Sequence, residues 1–154
     1  MVSKPFSKEK ETINPPTKLD SKQNPASLRE VFRYVRQIDG SSPEQFEKKL
    51  LPYCGRYGKK KMPAKTIRQI EKDDTRIQYW HIELYSNYVG IPSGVLLLFS
   101  RLKANIRDGK HQNAIKIRES VREIFGSEKF FNDFESEDLE LWIDAFSDKS
   151  GKLL

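Results

Sequence analysis

The chain has 154 residues, a formal net charge of +6 at pH 7, and a composition that is 36% hydrophobic and 32% charged. This length suits one domain with extensions. The aromatic content of 11% is too high for a chain that is disordered throughout. No apolar run approaches the roughly 18 residues of a membrane-spanning helix, and the start, MVSKPFSKEKE, lacks the apolar segment of a secretory signal. We therefore expect a cytoplasmic protein with no membrane partner.

Cofactor and catalytic signals are missing from the sequence. The single cysteine, Cys54, cannot form an internal disulfide, and two histidines make a zinc cluster implausible. The sequence contains no GxxxxGK[ST], HExxH, GxSxG or CxxC motif. We therefore expect no metal, no other cofactor and no enzymatic activity, and we interpret Cys54 as an incidental thiol.

Charge is distributed unevenly along the chain. From residue 127 to residue 154 there are eight acidic residues and three lysines, a net of −5, so the total of +6 leaves +11 on residues 1–126. A basic body with an acidic end suits a protein that binds a polyanion and whose C-terminal part does something else. A basic protein with an ordinary solvated acidic helix would have the same distribution.

Residues 1–25 are predicted to be a flexible arm. They are rich in Lys, Ser, Thr, Asn and Pro, and their few apolar residues are too sparse to build a core. The arm carries five lysines and three acidic residues. It is either a plain leader or a segment that contacts phosphates or the minor groove.

The first predicted helix runs from Ser27 to Ile38. Ser27 is a natural N-cap, and Glu30 three residues later completes a capping box. Three arginines opposite the apolar stripe, Arg29, Arg33 and Arg36, either contact phosphates or form an ordinary solvated face. The stripe expected to be buried consists of Leu28, Val31, Phe32, Val35 and Ile38.

A second helix is predicted to open at Ser42-Pro43-Glu44, which supplies a cap, a proline at the first helical position and an acid in the first turn. Residues 51–62, LPYCGRYGKKKM, follow it. We interpret them as a basic loop that adds contacts to a nucleic acid. The alternative is that the second helix is extended and displaced. The basic residues of this segment are Arg56, Lys59, Lys60 and Lys61.

The third predicted helix is PAKTIRQIEK, in which Pro63 suits the first turn. Ile67 and Ile70 point inward three residues apart. Its outward face is therefore short, polar and basic, and consists of Lys65, Thr66, Arg68, Gln69 and Lys72.

Apolar spacing predicts four further helices. Trp80 is expected to be half-buried and His81 to lie on the surface. Val95 to Ile106 is apolar around more than one face, so this helix should be buried on two sides. Two acidic or mixed helices follow, Ala114 to Phe125 and one capped at Ser136. A helical stripe of Tyr79, Ile82, Tyr85 and Val89 precedes them and ends at Gly90. No strand alternation is present, so we predict an all-α fold.

A family resemblance rests on Ile70-Glu71, on Gly90-Ile91-Pro92 nineteen residues after Glu71, and on Leu96-Leu97. This spacing resembles the second half of the Cro/repressor (XRE-like, lambda-repressor-like) helix-turn-helix domain. The resemblance implies a five-helix helix-turn-helix core plus C-terminal helices. It divides the chain into an arm (1–25), a DNA-binding domain (26–108, with the insertion 51–62) and an acidic helical region for dimerisation or interaction (109–154).

In that family the early exposed positions of the recognition helix read base edges in the major groove. The resemblance thus implies a sequence-specific regulator of transcription that binds double-stranded DNA as a homodimer. The apolar surplus and the acidic charge of residues 110–154 make their helices the candidate for this dimerisation or for binding a partner protein. Lysine suits guanine acceptors, glutamine can bridge adenine N6 and N7, and threonine serves either. The implied base-reading residues are Lys65, Thr66 and Gln69, with Arg68 on the same face and Ala64 near a thymine methyl. The implied phosphate contacts are Arg76, Arg33 or Arg36, and Lys59, Lys60 and Lys61.

A second interpretation is a helical protein-interaction module on a repressor-like scaffold that has lost specific DNA binding. The insertion, the acids Asp73 and Asp74 after the third helix, and the acidic aromatic C-terminus favour it. A third is single-stranded nucleic-acid binding by stacking on Tyr53 and Tyr57 beside the lysines.

Overall fold

The computed structural model of the protein describes residues 28–127 and 135–148. In these ranges the chain forms α-helices and two short 3₁₀ turns and no strand, so the all-α prediction is confirmed. The predicted arm of residues 1–25 and the N-cap at Ser27 lie outside the described residues. The helices are α1 (Leu28–Ile38), α2 (Pro43–Cys54), α3 (Ala64–Ile70), α4 (Tyr79–Val89), α5 (Ser93–Arg107), α6 (His111–Ser127) and α7 (Ser136–Phe146), and the 3₁₀ turns are Gly55–Tyr57 and Asp74–Arg76.

The stripe predicted for α1 is correct except at its last position. Ile38 is 47% exposed and lines an apolar groove together with Leu141. Tyr34, which is outside the predicted stripe, is buried because α7 packs against it, with the ring of Trp142 at 4.9 Å. The remaining predicted core residues of α1 are buried: Leu28, Val31, Phe32 and Val35.

Helix α2 starts as predicted, with the Ser42 hydroxyl accepting a hydrogen bond from the Gln45 N–H at 3.1 Å. It continues to Cys54, so the predicted insertion loop of 51–62 is wrong in its first four residues. The alternative, in which the second helix is extended, is correct for these four residues. Helix α3 nevertheless packs directly against α2. Cys54, the last residue of α2, and Met62, near the end of the connection to α3 (residues 55–63), are both buried in the hydrophobic core.

Helix α4 buries a wider face than the predicted one, although Ile82 and Tyr85 are buried as predicted. Tyr79 is 67% exposed, whereas Leu84 and His81, the latter expected on the surface, are buried. The buried face is wide because α1, α2 and α5 all contact this helix. The helix ends as predicted at Gly90, which has a φ of 80° and donates its N–H to the Ser86 carbonyl at 2.9 Å.

Helix α5 lies at the centre of the fold, and its predicted burial on two sides is confirmed. It contacts four other helices, α1, α4, α6 and α7. Phe99 shows why: it is fully buried, and its ring lies 5.2 Å from that of Trp142 on α7. The helix begins two residues before the predicted Val95, at Ser93.

The acidic helix α7 belongs to the same core. Leu139, Trp142, Ile143 and Phe146 are at most 3% exposed. The aromatic side chains of α7 are thus buried within the chain, against α1 and α5. No helix within residues 28–127 and 135–148 is long and apolar enough by itself to cross a membrane; α4 and α5 reach that length and composition only as a pair bent by 104°.

Candidate nucleic-acid interface

Helix α3 is held on α2 by both apolar and polar contacts. Ile67 and Ile70 are fully buried, as predicted. Glu47 of α2 accepts a hydrogen bond from the Ala64 N–H at 2.8 Å and so satisfies a donor at the first turn of α3. Pro63 lies just before the helix rather than in its first turn. The orientation of α3 is therefore fixed by the helix that precedes it.

The outward face of α3 consists of most of the residues predicted for it. Lys65 and Arg68 are exposed, and Thr66 and Gln69 are partly exposed. Ala64 is only 8% exposed because it packs into the helix interface. Its predicted contact with a thymine methyl is therefore wrong.

The two acids that follow α3 have structural partners. Asp74 is buried, and its carboxylate accepts hydrogen bonds from the Arg29 backbone N–H at 2.8 Å and guanidinium at 3.2 Å. It thereby satisfies a free N–H at the start of α1. The Asp73 carboxylate accepts from the Thr75 N–H and hydroxyl, which lowers its pKa. Of the two acids, only Asp73 places negative charge near the outer surface.

The predicted cations divide into two groups by whether an acid neutralises them. Lys61 pairs with Glu47 at 3.6 Å, and Arg68 pairs with Glu44. Within residues 28–127 and 135–148, no acidic side chain forms an ion pair with the cations of the second group, which remain available to an anion: Arg33, Lys59, Lys60, Lys65 and Arg76.

Arg36 is a structural residue rather than a phosphate contact. Its guanidinium forms a bidentate ion pair with Glu71, with Nε to Oε2 at 2.7 Å and Nη2 to Oε1 at 2.6 Å. A third bond reaches the Ser41 carbonyl at 2.9 Å. The side chains of Arg36 and Glu71 are 16% and 7% exposed. The predicted phosphate contact at Arg36 is wrong because these three bonds turn the guanidinium inward, and Glu71 is likewise a structural residue.

A groove of about 360 Å³ opens beside α3. Three separate segments contribute to it: the connection after α2, helix α3, and the 3₁₀ turn with the start of α4. Four predicted site residues thus meet in one place, together with two residues that were not predicted to act there. They are Lys59, Thr66, Gln69 and Arg76, and the additional pair is Trp80 and His81.

Trp80, in the first turn of α4, contacts Lys59 from the segment that joins α2 to α3. The Lys59 ammonium lies 5.1 Å from the centre of its ring, in position for a cation–π interaction. The indole N–H donates to the Gln78 side chain at 3.2 Å, and the His81 ring lies 4.4 Å away. The expected half-burial of Trp80 is confirmed. Its sequence signal was only an aromatic outside the helical stripe, which does not indicate which cation it meets.

The two tyrosines of the predicted stacking platform, Tyr53 in the last turn of α2 and Tyr57 in the 3₁₀ turn after it, both contact side chains of α4, although Tyr53 is 37% exposed. Tyr57 accepts a hydrogen bond from the Asn87 side-chain amide and lies beside Trp80, with ring centres 6.4 Å apart. Tyr53 is edge-on to Tyr88 at 5.6 Å. Both rings pack on α4, which weakens the interpretation of a single-stranded stacking platform.

His81 is buried, and its Nδ1 accepts the Gln78 backbone N–H at 2.9 Å. Burial, together with the nearby charge of Lys59, lowers the pKa of His81 to about 4 from an ordinary value of 6.5. Above pH 6.5 the ring is neutral in both folded and unfolded chains. As pH falls below 6.5, the unfolded chain gains a proton that the folded chain does not take up. Stability contributed by neutral His81 is therefore lost between about pH 6.5 and pH 4.

We expect the free energy of unfolding to fall by up to about 1.4 kcal/mol per pH unit across this window because of His81. Urea denaturation between pH 7.5 and 5 measures it. His81→Gln keeps a side chain that can accept the Gln78 N–H and should flatten the slope. His111→Gln, at the exposed second histidine of the chain, should leave it unchanged. Equal slopes in all three proteins would contradict the assignment.

In the described part of the chain, no group of three His, Cys, Asp or Glu side chains converges closely enough to hold a metal ion. The Cys54 thiol is buried and donates to the Leu50 carbonyl at 3.4 Å, and burial raises its pKa. Comparison of the chain with protein-family models, with curated proteins and with solved structures finds no match.

Proposed function

We propose that this chain is a regulator of transcription that binds double-stranded DNA in a sequence-specific manner through the outward face of α3. The observation that carries the proposal is the groove in which Thr66 and Gln69 of α3 lie beside Lys59 and Arg76 from the segments on either side of it. Hydrogen-bonding groups suited to base edges are thus flanked by cations suited to phosphates.

Lys65, Thr66 and Gln69 are assigned to base edges. Their helix is short and is fixed at both ends, by Glu47 at its start and by the Arg36–Glu71 pair at its end. A fixed helix presents its side chains in one geometry, which bidentate base recognition requires. Phosphate contacts are assigned to the unpaired cations Lys59, Lys60, Arg76 and Arg33. Arg68 is a weaker candidate because Glu44 neutralises it.

The proposal is tested by selecting random duplex DNA with the purified protein at near-physiological salt. We expect an enriched motif, and a palindrome would indicate the paired half-sites of a dimer. Among the described residues, Ile115 and Leu141 are exposed apolar side chains on the C-terminal helices. Dimerisation through these helices is part of the proposal.

Gln69→Ala is expected to weaken binding to the selected duplex by roughly 5- to 150-fold and to relax preference at one base position, because a bidentate base contact is lost. Binding titrations against the selected duplex and single-base variants measure this. Gln37→Ala, at an exposed glutamine on α1, is the matched control for the loss of an unrelated surface side chain. Salt-labile binding that is equal for all sequences and insensitive to Gln69→Ala would refute specific readout by α3.

A second candidate function, a protein-interaction module, is favoured by one observation. An apolar groove of about 360 Å³ lies between α1, α4 and α7, and its walls include Ile38, Val89 and Leu141. A module of this kind would show no steep dependence of its binding on salt and no response to Gln69→Ala.

A further inference from the structure

The cationic groups around the groove beside α3 are arranged before any ligand arrives. Lys59 lies over the ring of Trp80 at 5.1 Å, which limits the freedom of an otherwise mobile exposed side chain. Arg76 lines the same groove from the 3₁₀ turn Asp74–Arg76. Neither cation has an acidic partner in an ion pair within the described ranges. Two positive charges therefore converge on one opening.

His81 adds an uncharged donor to the same wall. It is 3% exposed and lines the groove. Because Nδ1 accepts the Gln78 backbone N–H at 2.9 Å, the proton of the neutral ring resides on Nε2. The first turn of α4 lies at this wall as well, through Gln78 and Trp80, and the positive end of the helix dipole favours negative charge there. The two cations, the His81 N–H and the start of α4 would each stabilise an anion bound in the groove.

The faces of Trp80 indicate which part of a nucleic acid the groove takes. An unpaired base would need an open aromatic face for stacking. Lys59 lies over the Trp80 ring. The centre of that ring is 4.4 Å from the centre of the His81 ring and 6.4 Å from that of the Tyr57 ring. Stacking of a base would have to displace Lys59, whereas a phosphate can bind the ammonium where it already lies. The groove therefore favours a phosphate over a base.

We propose that this groove is a phosphate-binding site that holds one backbone phosphodiester of the bound DNA, with Lys59 and Arg76 as its cationic contacts, His81 Nε2–H as a neutral donor and Trp80 as the residue that positions Lys59. The assignment of this phosphate to a DNA backbone rests on the proposed function. The phosphate chemistry of the site does not, because the same groups would bind a free phosphate.

The two tryptophans of the chain provide a direct readout. Their indole N–H signals in a ¹H–¹⁵N spectrum report on the groove (Trp80) and on the core (Trp142, 3% exposed) in one sample. We expect a saturable shift of the Trp80 signal with the selected duplex and a weaker saturable shift with inorganic phosphate. The Trp142 signal should stay in place in both titrations. An unchanged Trp80 signal in both would overturn the proposal.

Variants separate a positioning role from a stacking role. Lys59→Met is expected to lower the slope of log K against log salt for duplex binding by about 0.9, as for one lost phosphate contact. Trp80→Leu should weaken binding by about two- to fivefold, and Trp80→Phe should restore part of it, because an aromatic face again holds the ammonium. Trp80→Leu should have almost no further effect when Lys59 is already Met.

Two outcomes distinguish the failure of this site from failure of the proposed function. If no duplex motif is selected but inorganic phosphate shifts Trp80 in the unmodified protein and not in Lys59→Met, the phosphate site stands and the DNA assignment falls. If single-stranded DNA binds better after Lys59→Met and is lost in Trp80→Leu, Trp80 stacks bases and the phosphate site is refuted.

Discussion

Glu71→Ala is expected to lower the free energy of unfolding by about 3–5 kcal/mol, because it leaves the Arg36 guanidinium largely buried without its counter-charge. Arg36 makes two bonds to Glu71, at 2.7 and 2.6 Å, and the Glu71 side chain is only 7% exposed. The hydrogen bond with Glu71 also raises the pKa of Arg36, so the guanidinium stays charged. Water can replace the lost carboxylate only in part.

Urea denaturation of Glu71→Ala measures this loss, and the chain offers a matched control. Arg122 and Glu140 form an equally bidentate pair, with both bonds at 2.9 Å, but their side chains are 46% and 49% exposed. Glu140→Ala should therefore cost at most about 1 kcal/mol. Similar losses in the two variants would contradict the importance of burial at Glu71.

The Arg36–Glu71 pair also bears on the proposed function. It joins α1 to the residue that follows α3, and so it fixes the end of the helix assigned to base readout. Replacing both residues by apolar side chains of similar size, Arg36→Met with Glu71→Leu, should restore much of the stability. DNA binding by that double variant would show how much of the orientation of α3 depends on this pair.

Trp142→Ala is expected to destabilise the protein by about 3–5 kcal/mol, because it removes a large buried ring from the core. Trp142 is 3% exposed and lies 4.9 Å from the ring of Tyr34 and 5.2 Å from that of Phe99. These contacts join α7 to α1 and α5. Loss of the ring should therefore weaken the whole fold rather than release α7 alone.

Thermal unfolding followed by circular dichroism checks the prediction for Trp142→Ala. The far-UV signal reports on helix content and the near-UV signal on aromatic packing. A single transition at lower temperature by both probes is expected. Leu141→Ala is the neighbouring control on the same helix, because Leu141 is 62% exposed and should change stability by less than about 0.5 kcal/mol. An unchanged main transition in Trp142→Ala would mean that α7 folds independently of the core.

The outward face of α3 was predictable from local sequence. Spacing alone assigned Ile67 and Ile70 to the core, and both are fully buried. Once two inward positions of a short helix are known, the period of 3.6 residues places Lys65 and Arg68 outside. Gly90 also acts locally, since its φ of 80° is a conformation that suits glycine.

Local sequence did not predict the full buried face of α4 or what the apolar side chains of α7 pack against. His81 has the spacing of a surface residue with respect to the predicted stripe, but three helices surround α4 and bury a wider face. The apolar side chains of α7 indicated burial, yet periodicity does not distinguish burial within the chain from burial against a second copy. Tyr34 and Phe99 provide the answer only after α1 and α5 are in place.

The sequence by itself determined that the described part of the chain is helical, where most helices lie to within a few residues, and which residues α3 presents to its surroundings. Only the tertiary structure decided which cations remain free. Arg36 pairs with Glu71 across 35 positions of sequence and Arg29 with Asp74 across 45, whereas Lys59 meets the ring of Trp80. Periodicity reports which way a side chain points on its own helix. The partner of a charge depends on which segments meet in space, and that is set by the packing of the whole core.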